Sequence, residues 1–290
     1  MNTQTKCSVL VFGASGLLGT DLCKEARARG YEIESPGRDV VDVTNDLELN
    51  AYILNSNSEW VINCAAYTAV DQAETDEDAC SILNAAAAFN IARYVGWKGR
   101  KLVHVSTDFV FDGTKGQPYS EADEVNPLGA YGKSKLHGEQ LVLDKNPDAI
   151  IVRTAWLFGA HGKCFPRTII NAARSGKQLR VVGDQIGSPS YSRDVGAGIL
   201  NILEAEASGG IYHLANSGEA SWYDLAVATL DAAGIESAVE KIRSSDWPTP
   251  APRPGYSVLS TAKYQSLGYP ALPSWKDAVN RFAKELSLES

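Results

Sequence analysis

Gly13-Ala14-Ser15-Gly16-Leu17-Leu18-Gly19 stands between an apolar run, Cys7–Phe12, and a helix-like stretch, Leu17–Arg29. Glycines at this junction allow a tight turn and let backbone approach a pyrophosphate closely. The N-terminus of the following helix adds N–H groups and positive potential. The spacing is GxxGxxG rather than GxGxxG, and any tight strand–helix connection could use glycines this way. The strand before and the helix after turn the reading toward a dinucleotide. Gly13, Ser15, Gly16, Leu17, Leu18 and Gly19 are therefore expected to border a cofactor.

The same alternation continues outward. Apolar runs at Tyr31–Glu34, Trp60–Asn63, Leu102–Ser106 and Ile150–Arg153 read as strands apolar on both faces, which suits a parallel sheet covered by helices. Helices are expected at Leu47–Asn55, at roughly Glu74–Tyr94 and at Gly129–Leu143. Right-handed crossovers then give an α/β, Rossmann-type doubly wound sheet. Beyond about residue 153 glycine, proline and serine become frequent and the strand signals shorten. The expectation is a dinucleotide-binding domain over 1–153. A smaller, interleaved substrate lobe over 154–290 would return part of its chain to the sheet. Ser221 with Asp224 reads as a capped helix start, and the proline-rich stretch Trp247–Pro254 as an ordered surface loop.

Composition narrows the function. A net charge of −8 offers no basic face for phosphate backbones, which excludes a nucleic-acid partner. The first six residues lead straight into an apolar run too short for a secretory leader, and no stretch is long enough to span a membrane, so a cytoplasmic protein is expected. The five cysteines are scattered and form no CxxC pair, which implies neither a disulfide framework nor a zinc site.

Tyr131-Gly132-Lys133-Ser134-Lys135 would place a phenol and an ammonium one helical turn apart on one face. Lys135, with an oxidised nicotinamide, would draw the Tyr131 pKa down from its ordinary value of about 10, making Tyr131 a proton donor to a carbonyl. Thr107 ends the fourth strand, at the sheet edge where such folds bind ligands, and its hydroxyl could donate to the same oxygen. Arg38 follows the second strand, where an arginine can pair with a 2′-phosphate. Glu34 nearby would favour a 2′-hydroxyl instead. Asp42 and Val43 would lie near the adenine.

With these residues in place, the chain resembles the extended short-chain dehydrogenase/reductase family. Within it the likeness is to the reductases that complete dTDP-L-rhamnose synthesis. It is carried by Asn63–Asp71, Ser106–Phe111, Tyr131–Lys135, Arg153–Trp156 and Arg253–Leu259. The resemblance implies Thr107, Tyr131 and Lys135 as a catalytic trio. Phe12 to Leu18, Arg38, Asp42, Ala65, Ala66 and Thr68 would contact NADPH, with NADH also accepted. Val70, Asp108, Phe109 and Trp156 would border the sugar of a dTDP-sugar substrate, and Arg253 would bind its diphosphate.

Sugar dehydratases of the family carry an acidic pair after the threonine, whereas here Asp108 is followed by Phe109, so plain carbonyl reduction is implied. Some relatives dimerise through magnesium held by carboxylates. Asp21 could supply one ligand, but Arg193 falls at the second, so no metal is expected and a homodimer stays open. Two alternatives remain: a non-catalytic partner-binding subunit like the β-subunit of methionine adenosyltransferase, and a reductase or epimerase of another nucleotide sugar.

Overall fold

In the computed structural model, which describes residues 6–289, β1 (Lys6–Phe12) runs through the middle of a six-stranded sheet. The residues before it lie outside the described residues. Val9 and Val11 face one side and Leu10 and Phe12 the other, each at most 1 % exposed. This period of two with both faces apolar makes β1 an interior strand. β2 (Tyr31–Glu34), β3 (Trp60–Asn63), β4 (Lys101–Thr107), β5 (Ile150–Thr154) and β10 (Gly210–His213) complete the sheet in the order β10-β5-β4-β3-β1-β2, every pair parallel. The order reverses between β1 and β3, the place where doubly wound sheets open a ligand crevice.

Each face is covered by helices. One carries α1 (Leu17–Ala28) and α7 (Ser192–Glu204), whose Leu22 and Ile199 pack on Val9, Ile62 and Val103. The other carries α2 (Asp46–Asn55), α4 (Ala87–Trp97) and α5 (Ala130–Lys145), with Leu49, Ile91 and Val142 against Leu10, Val61 and Ile151.

The helix expected over Glu74–Tyr94 is instead four pieces. A 3₁₀ turn at Gln72–Glu74 precedes α3 (Glu77–Ser81), and a π-helical turn at Ile82–Ala86 leads into α4. The cause is Asn84. Its fully buried amide bonds both the N–H and the C=O of Tyr67, at 2.8 and 3.1 Å. The extra residue of a π-turn re-aims such a side chain. Gly138 of α5 presses against the same turn, where a Cβ would stand 2.1 Å from the Asn84 carbonyl oxygen.

The remaining chain is built from short pieces: β6 (Leu157–Phe158), α6 (Phe165–Arg174), β7 (Leu179–Val182), β8 (Ile186–Gly187), β9 (Ser190–Tyr191), β11 (Ala220–Ser221), α8 (Trp222–Ala232), β12 (Val239–Ile242), α9 (Ala262–Gln265) and α10 (Trp275–Glu289). They pair only two by two, β6 with β9, β7 with β12 and β8 with β11. Aromatic packing around Phe158, Tyr191, Trp275 and Phe282 holds them together. Ser221 and Asp224 form the expected capping box of α8. Among the described residues no helix is long and apolar enough to cross a membrane.

Candidate active site

The glycine turn is shaped by what it touches. Gly13 adopts φ +74°, and a Cβ there would fall 2.5 Å from the Ala65 nitrogen, so only glycine lets β1 turn this close to the loop after β3. A Cβ on Gly19 would lie 2.2 Å from the Gly13 carbonyl oxygen. No side chain caps α1, whose N-cap is Gly16, and Ser15 and Gly16 are exposed. The first N–H groups of α1 therefore face the crevice, as a diphosphate requires.

Arg38 lies past the end of β2, 84 % exposed, with its guanidinium on the Asp42 carboxylate at 3.0 and 3.1 Å. The Thr44 backbone and hydroxyl, then Arg38, hold the Asp42 pKa below its usual range. Glu34 is spent elsewhere, accepting from Ser56 and Ser58 at 2.6 and 3.1 Å. That leaves Asp42 as the carboxylate a 2′-phosphate would displace from Arg38. Val43 and Ala65 pack on the apolar cluster beneath the crevice, and Thr68 is exposed above it. This donor set, an open helix end, a guanidinium and the Lys135 amine described next, fits a phosphorylated dinucleotide.

Thr107 and Tyr131 lie side by side, whereas the Lys135 amine is turned to other partners. Tyr131 and Lys135 stand on successive turns of α5. Gly132 presses that helix onto the turn after β4, where a Cβ would meet the Phe109 carbonyl oxygen at 2.3 Å. The Phe109 ring meets Tyr131 edge-on, centroids 5.5 Å apart. Thr107 ends β4, and its hydroxyl lies close enough to Tyr131 to favour the phenolate.

One expectation is corrected here. Burial drives the Tyr131 pKa above its usual value, with Asp108 adding to the rise and the Thr107 hydroxyl opposing it. Lys135 does not draw it down, because its amine is 1 % exposed and turned to the Val105 carbonyl (2.7 Å) and His104 (3.3 Å). The phenol keeps its proton, as a donor must.

Asp108, expected beside a sugar, has both oxygens taken: Thr107 donates to Oδ1 at 3.1 Å and Ser257 to Oδ2 at 2.6 Å. It is 1 % exposed, and burial lifts its pKa to about 6. Asp108 thus stands behind Thr107, while Phe109 and Val70 are half-buried at the crevice.

Trp156 has a left-handed backbone, φ +45°, and stacks flat on Trp222 with centroids 3.5 Å apart. Gly187 makes room for it, since a Cβ there would lie 2.4 Å from the indole. Trp222 in turn lines a cleft of about 380 Å³ with Asp71, Phe165, Gln185, Trp247 and Arg253. Arg253 pairs with both Asp71 oxygens, at 2.8 and 3.0 Å.

Several contributors had no sequence signal beyond an odd residue in a run. Arg153, in an otherwise apolar strand, forms a bidentate pair with Glu139 of α5, both side chains 2 % exposed. Asn63 and His104 join under Lys135. Asp21 meets His161 and Glu285, their ligand atoms within 4.8 Å. Arg193, expected to spoil a metal site there, stands 3.9 Å from Glu285, and Lys24 reaches His161 at 2.7 Å. Of these two cations, Arg193 lies near one of the acids and Lys24 lies on the histidine.

The family model described as the RmlD substrate binding domain matches residues 7–288. A dTDP-4-dehydrorhamnose reductase of Mycolicibacterium smegmatis is 37 % identical over 93 % of this chain and 83 % of its own. A probable dTDP-4,6-dihydroxy-2-methyloxan-3-one 4-ketoreductase of Streptomyces antibioticus is 38 % identical over 93 % and 92 %. The crystal structure of dTDP-4-dehydrorhamnose reductase from Bacillus anthracis, in complex with NADP, superposes with a TM-score of 0.93 at 35 % identity, covering 97 % of this chain and 99 % of that one.

Proposed function

Because the chain belongs to the RmlD substrate-binding-domain family, we propose that it reduces the C4 keto group of dTDP-4-dehydro-L-rhamnose to give dTDP-L-rhamnose. It is an NADPH-dependent oxidoreductase, with NADH as a weaker alternative. The observation that carries this reading is Tyr131 beside Thr107 at the carboxyl end of β4, with Lys135 one turn along α5, in a chain 37 % identical to a dTDP-4-dehydrorhamnose reductase.

When bound, NADPH supplies the hydride that reaches C4. Tyr131 is half-buried, its desolvated phenol retains a proton, and it delivers that proton to the C4 oxygen as negative charge develops there. Thr107 turns its hydroxyl from Asp108 to the same oxygen. A fixed donor at that point stabilises the developing alkoxide in a site with little water. Lys135 would leave the Val105 carbonyl to hold the nicotinamide ribose, and Arg38 would take the 2′-phosphate. The stacked Trp156 and Trp222 form an apolar wall along the sugar. Arg253 exchanges Asp71 for the diphosphate. No second acid–base pair is needed, since hydride and one proton complete the reduction.

We further assign cofactor binding to 1–153 and sugar binding to the lobe over 154–290, apart from the stretch that rejoins the sheet. A cytoplasmic enzyme, active without a divalent metal and open to homodimer formation, completes the reading. Persistence of all three catalytic residues speaks against a non-catalytic subunit.

A specific observation favours one other substrate class, a different dTDP-4-keto sugar, since the Streptomyces relative is named for such a ketone. The test is direct. Purified protein, NADPH and dTDP-4-dehydro-6-deoxy-L-mannose should consume cofactor and yield dTDP-L-rhamnose in equal amounts. No cofactor loss overturns the reductase reading, and interconversion without net oxidation would make the protein an epimerase. Faster turnover of another dTDP-4-keto sugar would move the assignment to it.

A further inference from the structure

Beneath the trio lies a buried histidine that the reduction does not use. His104 of β4 is 1 % exposed. Its Nδ1 lies 3.0 Å from the side-chain nitrogen of Asn63. The Asn63 oxygen is fixed by the Ala65 N–H at 3.1 Å, so the amide must turn its NH₂ toward His104. Nδ1 therefore carries the lone pair and, in a neutral ring, Nε2 carries the hydrogen. Nε2 faces the Lys135 nitrogen at 3.3 Å. An ammonium has no lone pair to accept that hydrogen, whereas an amine does.

We propose that Asn63 and His104 form a positioning relay that holds Lys135 on the Val105 carbonyl and favours its loss of a proton, until the dinucleotide draws it away. The proposal rests on the reading of Lys135 as a cofactor contact. Among the groups around the amine, Glu139, one turn on, favours the ammonium and so opposes the relay, but its carboxylate is bound bidentately by Arg153. Burial raises the pKa of the Cys64 thiol and of the Tyr131 phenol, so both keep their protons at working pH. Burial, the largest influence, brings the Lys135 pKa down to about 8 and holds that of His104 well below its ordinary value. The relay also ends at Ala65, the residue against which the glycine turn packs. One hydrogen-bonded line thus joins the cofactor loop to the catalytic lysine.

Nitrogen-15 NMR of the protein without ligands reads the ring directly. There are four histidines, and His104 is assigned by its loss in His104→Gln. The expected signal is an Nε2–H tautomer that persists to pH 5. An Nδ1–H tautomer, or an imidazolium at pH 6, overturns the proposal. The lysine side-chain resonance assigned by Lys135→Met should titrate near pH 8. His104→Phe removes the donor and should move that titration up by about one unit, a tenfold change in proton affinity. His104→Gln, which can still donate, should leave it within a few tenths. Equal shifts in both variants, or none in either, would reduce His104 to packing. If His104→Phe fails to fold, the wild-type tautomer still decides. No sugar enters these measurements, so they stand apart from any failure of the assigned substrate.

Discussion

Lys135 and Arg253 are both assigned to the bound ligands, and the protein treats the two cations in opposite ways. Lys135 is 1 % exposed and faces only dipoles, a carbonyl and an imidazole, while the nearest carboxylate, Glu139, is diverted to Arg153. The side chain of Arg253 is 22 % exposed and held by both oxygens of Asp71. A buried cation without a counter-ion is free to lose its proton, because desolvation penalises only the charged form. A guanidinium clamped by its own carboxylate stays charged and oriented, but the clamp must open before a ligand can be gripped. One end of the site is tuned and the other is latched.

The largest effects should come from the tuned end. Tyr131→Phe should lower kcat by about 10²–10⁴-fold with NADPH affinity retained. Lys135→Met should lower rate and cofactor affinity together, read by stopped-flow absorbance and by fluorescence titration. A Lys135→Met protein that binds NADPH normally would erase the contrast between the two cations.

At the latched end, Arg253→Gln should raise KM for the dTDP-sugar roughly 10–100-fold with little change in kcat, the scale of a hydrogen bond to a charged group. Asp71→Asn should leave KM unchanged or a few-fold lower, because it removes the competitor. A rise as large as that of Arg253→Gln would mean that Asp71 supports the grip instead of opposing it.

Asp108 sharpens the comparison from the acidic side, being buried like Lys135 and lacking a counter-charge. Its pKa near 6 lies above the ordinary carboxylate value, so folding favours the neutral acid. That contribution is whole below about pH 4 and is lost as pH rises through 6. Asp108→Asn, which never ionises, should therefore gain on the wild type between pH 4 and pH 8, by on the order of 3 kcal/mol in thermal unfolding. A constant difference across that range would show that Asp108 ionises freely.

Smaller still, Arg38→Ala should cut the preference for NADPH over NADH about tenfold in kcat/KM. Its guanidinium is largely exposed and solvent screens it. Dialysis against EDTA should leave the rate unchanged. Magnesium-restored activity would instead assign a metal to the Asp21, His161 and Glu285 group.

Much of this architecture was legible because period and punctuation coincide. Tyr31–Glu34 and Trp60–Asn63 are strands with the bounds their apolar runs suggested, and Tyr131 and Lys135 share a helix face as their spacing required. The break at Asn84 was hidden, because Ile82–Ala86 reads as ordinary helix until Tyr67 offers its amide from another loop. Two-residue strands such as Leu157–Phe158 are too short to show a period at all. The Arg153–Glu139 and His104–Asn63 pairs join residues far apart in the chain, and no local pattern announces a partner on another strand. For the same reason Asp108 looked like a ligand contact. Only Ser257, arriving from the other lobe, shows that its second oxygen is taken.

The position of β10 has a consequence for synthesis. β5 ends at Thr154 and its sheet neighbour begins only at Gly210, after most of the first part of the lobe has been made. At about 5–20 residues per second on the ribosome, β5 spends several seconds as a bare parallel edge, its backbone groups open to any extended chain nearby. α7, which covers α1, arrives in the same interval. A nascent chain stalled or cleaved between these points would expose both a sheet edge and an apolar helix face. Fragments ending near residue 190 should therefore aggregate or be held by chaperones, while those extending past His213 should release.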